Sequence, residues 1–185
     1  MTFLVPFDGS ALAEAALVRA TEFASVFDED VLAVSVVPDG NAEYARERDW
    51  LDPDAPFEMQ SVVATLHTQV TELCPSADFR HVRVGTNAAP GTIAKRVRER
   101  AQREDVSMVF VGSDNAGHLV TEVSSIGGTI AAADAYDVVI VRDRTPARIA
   151  RLADASPRRD PKSDFYYPDS AARDDDDSSG PDDDP

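Results

Sequence analysis

The chain of 185 residues has one cysteine, two lysines and no long apolar run. A lone cysteine, Cys74, cannot form an internal disulfide, and this favours a reducing compartment. No stretch approaches the roughly 18 apolar residues that a membrane span needs. Residues 2–7 are strand-like and lack the basic region of a signal peptide. We therefore expect a cytoplasmic protein that has no membrane partner.

Positive charge is scarce. Acidic residues number 34 against 18 basic ones, which gives a net charge of −16. Residues 1–141 already hold 22 acidic and 10 basic side chains, and Lys95 and Lys162 are the only lysines. A field of this sign disfavours nucleic acid as a partner. The balance indicates adaptation to a high-salt cytoplasm, and solubility alone is the competing interpretation.

The usual phosphate-binding motifs are absent. Residues 112–119, GSDNAGHL, have glycines at P-loop spacing, but His118 and Leu119 stand where Lys and Ser or Thr are required. No G-x-G-x-x-G follows the first strand-like run, which excludes the dinucleotide fingerprint. The sequence therefore predicts neither a Walker-type NTPase nor a dinucleotide-binding enzyme.

Catalytic and metal-binding patterns are absent as well. His67 and His81 have no cysteine or carboxylate at metal-ligand spacing, so we interpret them as structural. We interpret His118 as a loop residue. No G-x-S-x-G motif and no catalytic-cysteine context occur. We expect no catalytic residues, no metal ligands and no enzymatic activity.

Five strand-length runs rich in β-branched residues alternate with helical patterns, at residues 2–7, 31–37, 79–84, 107–112 and 137–141. The first, fourth and fifth are almost continuously apolar, which predicts burial on both faces, as in a parallel sheet. Arg80 and Arg83 interrupt the third run, which suits a sheet edge. Right-handed crossovers wind this order into an α/β fold of three layers around an open, parallel five-stranded sheet.

Four helices are predicted between the strands from apolar residues spaced three and four apart. Ser10 caps the first helix, and the fourth covers residues 123–135. The connection 38–57 is polar and long, and such connections are usually functional or disordered. The apolar positions are Leu12, Ala16, Ala20, Phe23 and Phe27 in the first helix; Val62, Leu66, Val70 and Leu73 in the second; Ile93, Val97 and Ala101 in the third; and Val123, Ile126 and Ile130 in the fourth.

In open parallel sheets, ligands bind beyond the carboxyl ends of the strands, where the strand order reverses. Residues 6–10 follow the first strand and residues 112–115 follow the fourth, so these two segments are the candidates. Asp8 has two open roles there. It can form a local turn and cap, or it can accept hydrogen bonds from a nucleoside, and the two roles can coexist.

Four segments occur in an order that resembles the universal stress protein family over residues 1 to about 143: FLVPFDGSALAEAALVRATEFA, VLAVSVVPD, VRVGTNAAPGTIAKRVRERAQREDVSMVFVGSD and AYDVVIVRD. The resemblance implies an adenine nucleotide alpha hydrolase-like fold with strand order 3-2-1-4-5. It also implies a cytoplasmic stress-response protein that forms a homodimer through the last strand, Val138 to Val141. Some family members bind ATP or AMP.

The resemblance also implies a set of ligand-binding residues. Those at the nucleoside would be Asp8 and Val36, and those at the phosphates would be Gly112, Ser113, Ser124 and Ser125. The nucleotide-binding branch of the family has G-x-x-G, nine residues and then G-[ST] after strand four, because glycine permits close backbone approach and a helix N-terminus presents free amides.

This chain departs from that glycine pattern. Asn115 replaces the second glycine, Ser124 replaces the glycine of the G-[ST] pair, and the loop between them is one residue short. Gly117 and residues 127–129 also satisfy the spacing, but they leave too short a crossover before the last strand. Asp114 would repel phosphate unless Mg²⁺ lies between them.

Two leading functions therefore stay open, and weak hydrolysis of ATP is a third alternative. One is a stress-response domain that binds ATP or AMP, and the other is a dimeric interaction module that has lost nucleotide binding through its degenerate glycine loop. Residues 144–185 form a charged tail that we expect to be largely disordered, since it cannot bury enough apolar surface. Its charge offers a surface for an unknown protein partner.

Overall fold

The computed structural model describes residues 1–112, Ile130 and residues 135–143. The described elements are, in chain order, β1 (Thr2–Pro6), α1 (Ala11–Phe27), β2 (Asp30–Pro38), α2 (Ala42–Arg46), α3 (Met59–Leu73), β3 (Asp78–Val84), α4 (Pro90–Arg103), β4 (Val106–Gly112) and β5 (Asp137–Val141). All five expected strands are confirmed. The expected fourth helix, apart from Ile130 and Ala135, and the expected tail 144–185 lie outside the described residues.

The five strands form one parallel sheet of order β3-β2-β1-β4-β5, which confirms the expected fold class. β1 lies at the centre, with Leu4 paired to Leu32 of β2 on one side and to Val109 of β4 on the other. β3 is an edge strand, as its two arginines indicated. The reversal of strand order at β1 brings the carboxyl ends of β1 and β4 together.

Two apolar cores lie on opposite faces of the sheet. Phe3 and Val5 point toward the face that α1 and α3 cover, whereas Leu4 points toward the face that α4 covers. This alternation along β1 follows from the two-residue period of a strand. Because both faces are covered, β1 is buried at Phe3, Leu4 and Val5, and β2 is buried from Val31 to Pro38.

Helix α1 begins directly after Ser10, the cap residue that the sequence indicated. The Ser10 hydroxyl accepts a hydrogen bond from the Ala13 amide at 3.3 Å, which satisfies one of the free N–H groups of the first turn. Leu12, Ala16 and Ala20 are buried as expected.

Two expectations about burial are wrong. Phe23 and Phe27 are 38% and 56% exposed, because the last turns of α1 lie at the rim of the core, where these rings contact Phe110 and Phe3 only from one side. Val138 to Ile140 of β5 are half-buried rather than buried. The reason is position, since β5 is the second edge of the sheet.

The connection 38–57 contains the short helix α2, which the sequence patterns did not indicate. Its anchor is Trp50, whose side chain is buried and whose Nε1 donates a hydrogen bond to the Asp8 carbonyl at 2.8 Å. This contact holds the connection against the turn after β1. Among the described residues, no helix combines the length and the hydrophobicity that crossing a membrane requires.

Candidate functional site

A cavity of about 190 Å³ opens at the carboxyl ends of β1, β2 and β4. Its described walls are mostly apolar, and Asp8, Tyr44 and Arg48 are its polar side chains. Typical ligand pockets measure roughly 300–1,000 Å³ and combine apolar walls with a few polar groups, so the described part fits a portion of a nucleotide. The apolar wall residues are Val34, Val36, Ile93, Val97, Val111 and Ile130.

Asp8 reaches the cavity through a tight turn between β1 and α1. Its Oδ1 accepts a hydrogen bond from the Ser10 amide at 3.1 Å, so the local turn role is present. Gly9 has a φ of 74° in this turn, a conformation that side-chain-bearing residues rarely adopt. A carboxylate has about four acceptor positions, so the turn leaves Asp8 with capacity for hydroxyl donors of a ligand.

Gly112 lies beside Asp8 in the cavity wall, at the end of β4. A Cβ on Gly112 would overlap the Leu12 carbonyl and lie 2.7 Å from the Ala13 amide nitrogen. Real Cβ atoms essentially never approach other atoms this closely. Glycine is therefore required at position 112 because the first turn of α1 packs directly against it. This requirement does not depend on a bound ligand.

Tyr44 and Arg48 close the cavity from the side of α2. The Arg48 guanidinium carbon lies 3.5 Å from the centroid of the Tyr44 ring, a cation–π contact. Tyr44 in turn packs edge to face on Trp50, with ring centroids 5.5 Å apart. Burial raises the pKa of the Tyr44 hydroxyl above its ordinary value, and the Arg48 charge opposes this shift. Tyr44 is therefore a neutral hydrogen-bonding group at physiological pH.

The structure brings three of the six expected binding residues together: Asp8, Val36 and Gly112 line one cavity. Ser113, Ser124 and Ser125 lie outside the described residues. Sequence reasoning missed Tyr44 and Arg48, because α2 is too short to show a helical period. The available signal was Trp50, a large aromatic residue inside a polar connection.

A second recess of about 390 Å³ lies between residues 49–58 and α3. Three carboxylates line it, from Asp49, Asp52 and Glu58. They would repel a phosphate, and the recess does not include the strand ends, so it suits an anionic ligand less well than the smaller cavity. No group of three or more His, Cys, Asp and Glu side chains in the described part of the chain could hold a metal ion.

Comparison with known proteins identifies the family. The model of the universal stress protein family matches residues 1–142, and the chain therefore belongs to this family. A universal stress protein in complex with cAMP is similar in structure, with a TM-score of 0.50 at 18% identity over 77% of this chain and 97% of that chain. This likeness supports the fold.

Two further solved universal stress proteins are also similar to the chain. UspA from Lactobacillus plantarum has a TM-score of 0.45 at 18% identity, covering 77% of this chain and 97% of that chain. The universal stress protein from Archaeoglobus fulgidus in complex with dAMP has a TM-score of 0.44 at 14% identity, covering 76% and 96%. No curated protein matches the chain at a significant level.

Proposed function

We propose that the protein is a cytoplasmic stress-response regulator that binds AMP or ATP in the cavity at the carboxyl ends of β1, β2 and β4. The observation that carries this proposal is the composition of the cavity. Apolar side chains from the three strands and from α4 line the cavity together with one carboxylate, Asp8, and one guanidinium, Arg48. Apolar walls suit a purine ring, and the two charged groups can fix the orientation of the ligand.

Each part of a nucleotide has a matching group under this proposal. The base would pack on Val36 and neighbouring valines, and Asp8 would accept hydrogen bonds from ribose hydroxyls. The family resemblance assigns Ser113, Ser124 and Ser125 to the phosphates, and Mg²⁺ would relieve the repulsion from Asp114. The universal stress protein in complex with cAMP offers a precedent for an adenine nucleotide on this fold.

The test is a calorimetric titration with AMP and ATP in molar KCl, with and without Mg²⁺. Asp8→Asn is the informative variant, because asparagine Oδ1 can still accept the Ser10 amide while the charge is lost. Hydrogen bonds to charged groups contribute about 1.5–3 kcal/mol, so we expect roughly a tenfold loss of affinity or more. Asp39→Asn is the matched control, since Asp39 is exposed and outside the cavity lining.

Absence of binding heat with the folded wild-type protein would refute the proposal. A mass spectrum of small molecules released on denaturation gives independent evidence, because a copurified adenylate would identify the ligand class. The binding role does not require catalysis. We expect phosphate release from ATP to be no faster with the wild-type protein than with Asp8→Asn.

A homodimer through Val138 to Val141 is part of the proposal. As an edge strand, β5 presents unpaired backbone groups, and Val138 to Ile140 are half-buried in the isolated chain. Neither nucleic acid nor a membrane is an expected partner, whereas the tail is a candidate site for a protein partner. Light scattering in molar KCl measures the mass, and a monomer at micromolar concentration would contradict the dimer.

The second candidate is an interaction module without a nucleotide, and one observation favours it. Phe23, Val26 and Phe27 expose apolar surface at the end of α1, with Val26 78% exposed. Exposed apolar groups that lie together commonly mark interaction sites. A folded dimer that binds no nucleotide in the titration above would favour this module.

A further inference from the structure

Arg48 is the only basic side chain among the described residues that line the cavity. The chain around it carries a net charge of −16, so the general field opposes the approach of a phosphate. An anionic ligand therefore needs a local positive group. Arg48 supplies one inside the cavity wall.

Among the described residues, only one nitrogen of the Arg48 guanidinium, Nη1, has a polar contact. Nη1 lies 3.4 Å from the Tyr44 carbonyl and 3.8 Å from a carboxylate oxygen of Glu47. Nε is buried and has no hydrogen-bond partner among the described residues. Buried donors in proteins are nearly always paired, so the guanidinium carries hydrogen-bonding capacity that the described residues do not use.

The side chain is also held in place. The guanidinium carbon of Arg48 lies 3.5 Å from the centroid of the Tyr44 ring. Tyr44 in turn packs against Trp50. An arginine that is already ordered loses less rotamer freedom when it binds an anion. The stack therefore orders Arg48 in the cavity wall, where 29% of its side-chain surface stays exposed to solvent.

We propose that Arg48 is a specificity-determining residue that donates a hydrogen bond to a phosphate oxygen and makes the cavity prefer nucleotides over the uncharged nucleoside. This inference rests on the proposed function of the cavity. Its role complements the degenerate glycine loop, in which Asn115 and Ser124 replace two glycines of the family pattern. A guanidinium would supply the phosphate contact that those replacements weaken.

Calorimetric titration with AMP and with adenosine tests the inference, using wild-type protein, Arg48→Gln and Arg46→Gln. Arg46 is the matched control, because it is exposed and its side chain bonds to the Ala55 carbonyl at 3.0 Å, and the substitution removes the same charge. We expect the wild-type protein to prefer AMP. Arg48→Gln should lower AMP affinity about tenfold or more and leave adenosine affinity within about twofold, while Arg46→Gln changes neither.

Four results would overturn the inference. Equal losses for AMP and adenosine in Arg48→Gln would show a contact with the base or a structural role, and unchanged AMP affinity would show no contact. Equal affinity of the wild-type protein for both ligands would refute the selectivity without any variant, while the proposed binding function would stand. If the folded wild-type protein binds neither ligand, the proposed function and this inference both fail.

Discussion

Replacement of Gly112 by alanine should destabilise the protein even when no nucleotide is present. The added methyl group would overlap the Leu12 carbonyl and lie 2.7 Å from the Ala13 amide nitrogen. These are backbone atoms in the first turn of α1, so no flexible side chain can move aside, and the helix has to shift. Insertion of a methyl group into a packed site costs about 1–3 kcal/mol, and the rigidity of these neighbours favours the upper end.

A loss of about 3 kcal/mol lowers the melting temperature of a chain of this size by about 6–12 °C. Thermal unfolding followed by circular dichroism, in the absence of ligand, measures this shift. Gly91→Ala is the control, because a Cβ at Gly91 has no atom within 4 Å and alanine is the better helix former in α4. If Gly112→Ala, like Gly91→Ala, melts at or above the wild-type temperature, the packing argument for Gly112 is incorrect.

Three further variants test the core, one histidine and the exposed end of α1. Ser35 is fully buried, and its hydroxyl donates a hydrogen bond to the Phe7 carbonyl at 2.6 Å. Ser35→Ala should therefore lower the free energy of unfolding, measured by urea titration, by about 1–3 kcal/mol. A loss below about 0.5 kcal/mol would contradict this. Burial, followed by the Arg83 charge, lowers the native-state pKa of His81. The unfolded chain therefore binds the proton more readily, and stability falls as the pH drops through about 6.5 and levels off below the native pKa. His81→Gln should reduce the stability difference between pH 7 and pH 5, and an unchanged difference would refute that assignment. Phe27 is 56% exposed, so Phe27→Ser should cost only about 1 kcal/mol, and sedimentation of the variant would reveal whether this ring lies in a dimer interface.

The strands were predictable from sequence because burial on two faces leaves a continuous apolar signal in β1 and β4. The order of the strands in the sheet was not predictable from these patterns, and it was predicted from the family resemblance instead. Periodicity placed Phe23 and Phe27 on the buried side of α1, and their side of the helix was correct. Periodicity does not indicate where the core ends along the helix axis. Phe23 and Phe27 lie beyond that end and are therefore exposed.

The site was only partly predictable for two physical reasons. Asp8 follows β1 and Val36 lies near the carboxyl end of β2, so the topology alone brings them to one rim of the sheet. Gly112 has the spacing of a phosphate-binding glycine, but the structure shows a close contact with α1 that no spacing rule expresses. Arg48 acquires its position from a stack on Tyr44, and a contact of this kind within one long connection has no periodic signature.

The Trp50 indole is bonded to the Asp8 carbonyl in the turn beside the cavity, and the chain contains no second tryptophan. All indole fluorescence of the protein therefore originates from a residue that is hydrogen-bonded to Asp8 in the wall of the cavity. Indole emission is therefore a label-free signal with which the proposed binding of a nucleotide to the cavity can be tested.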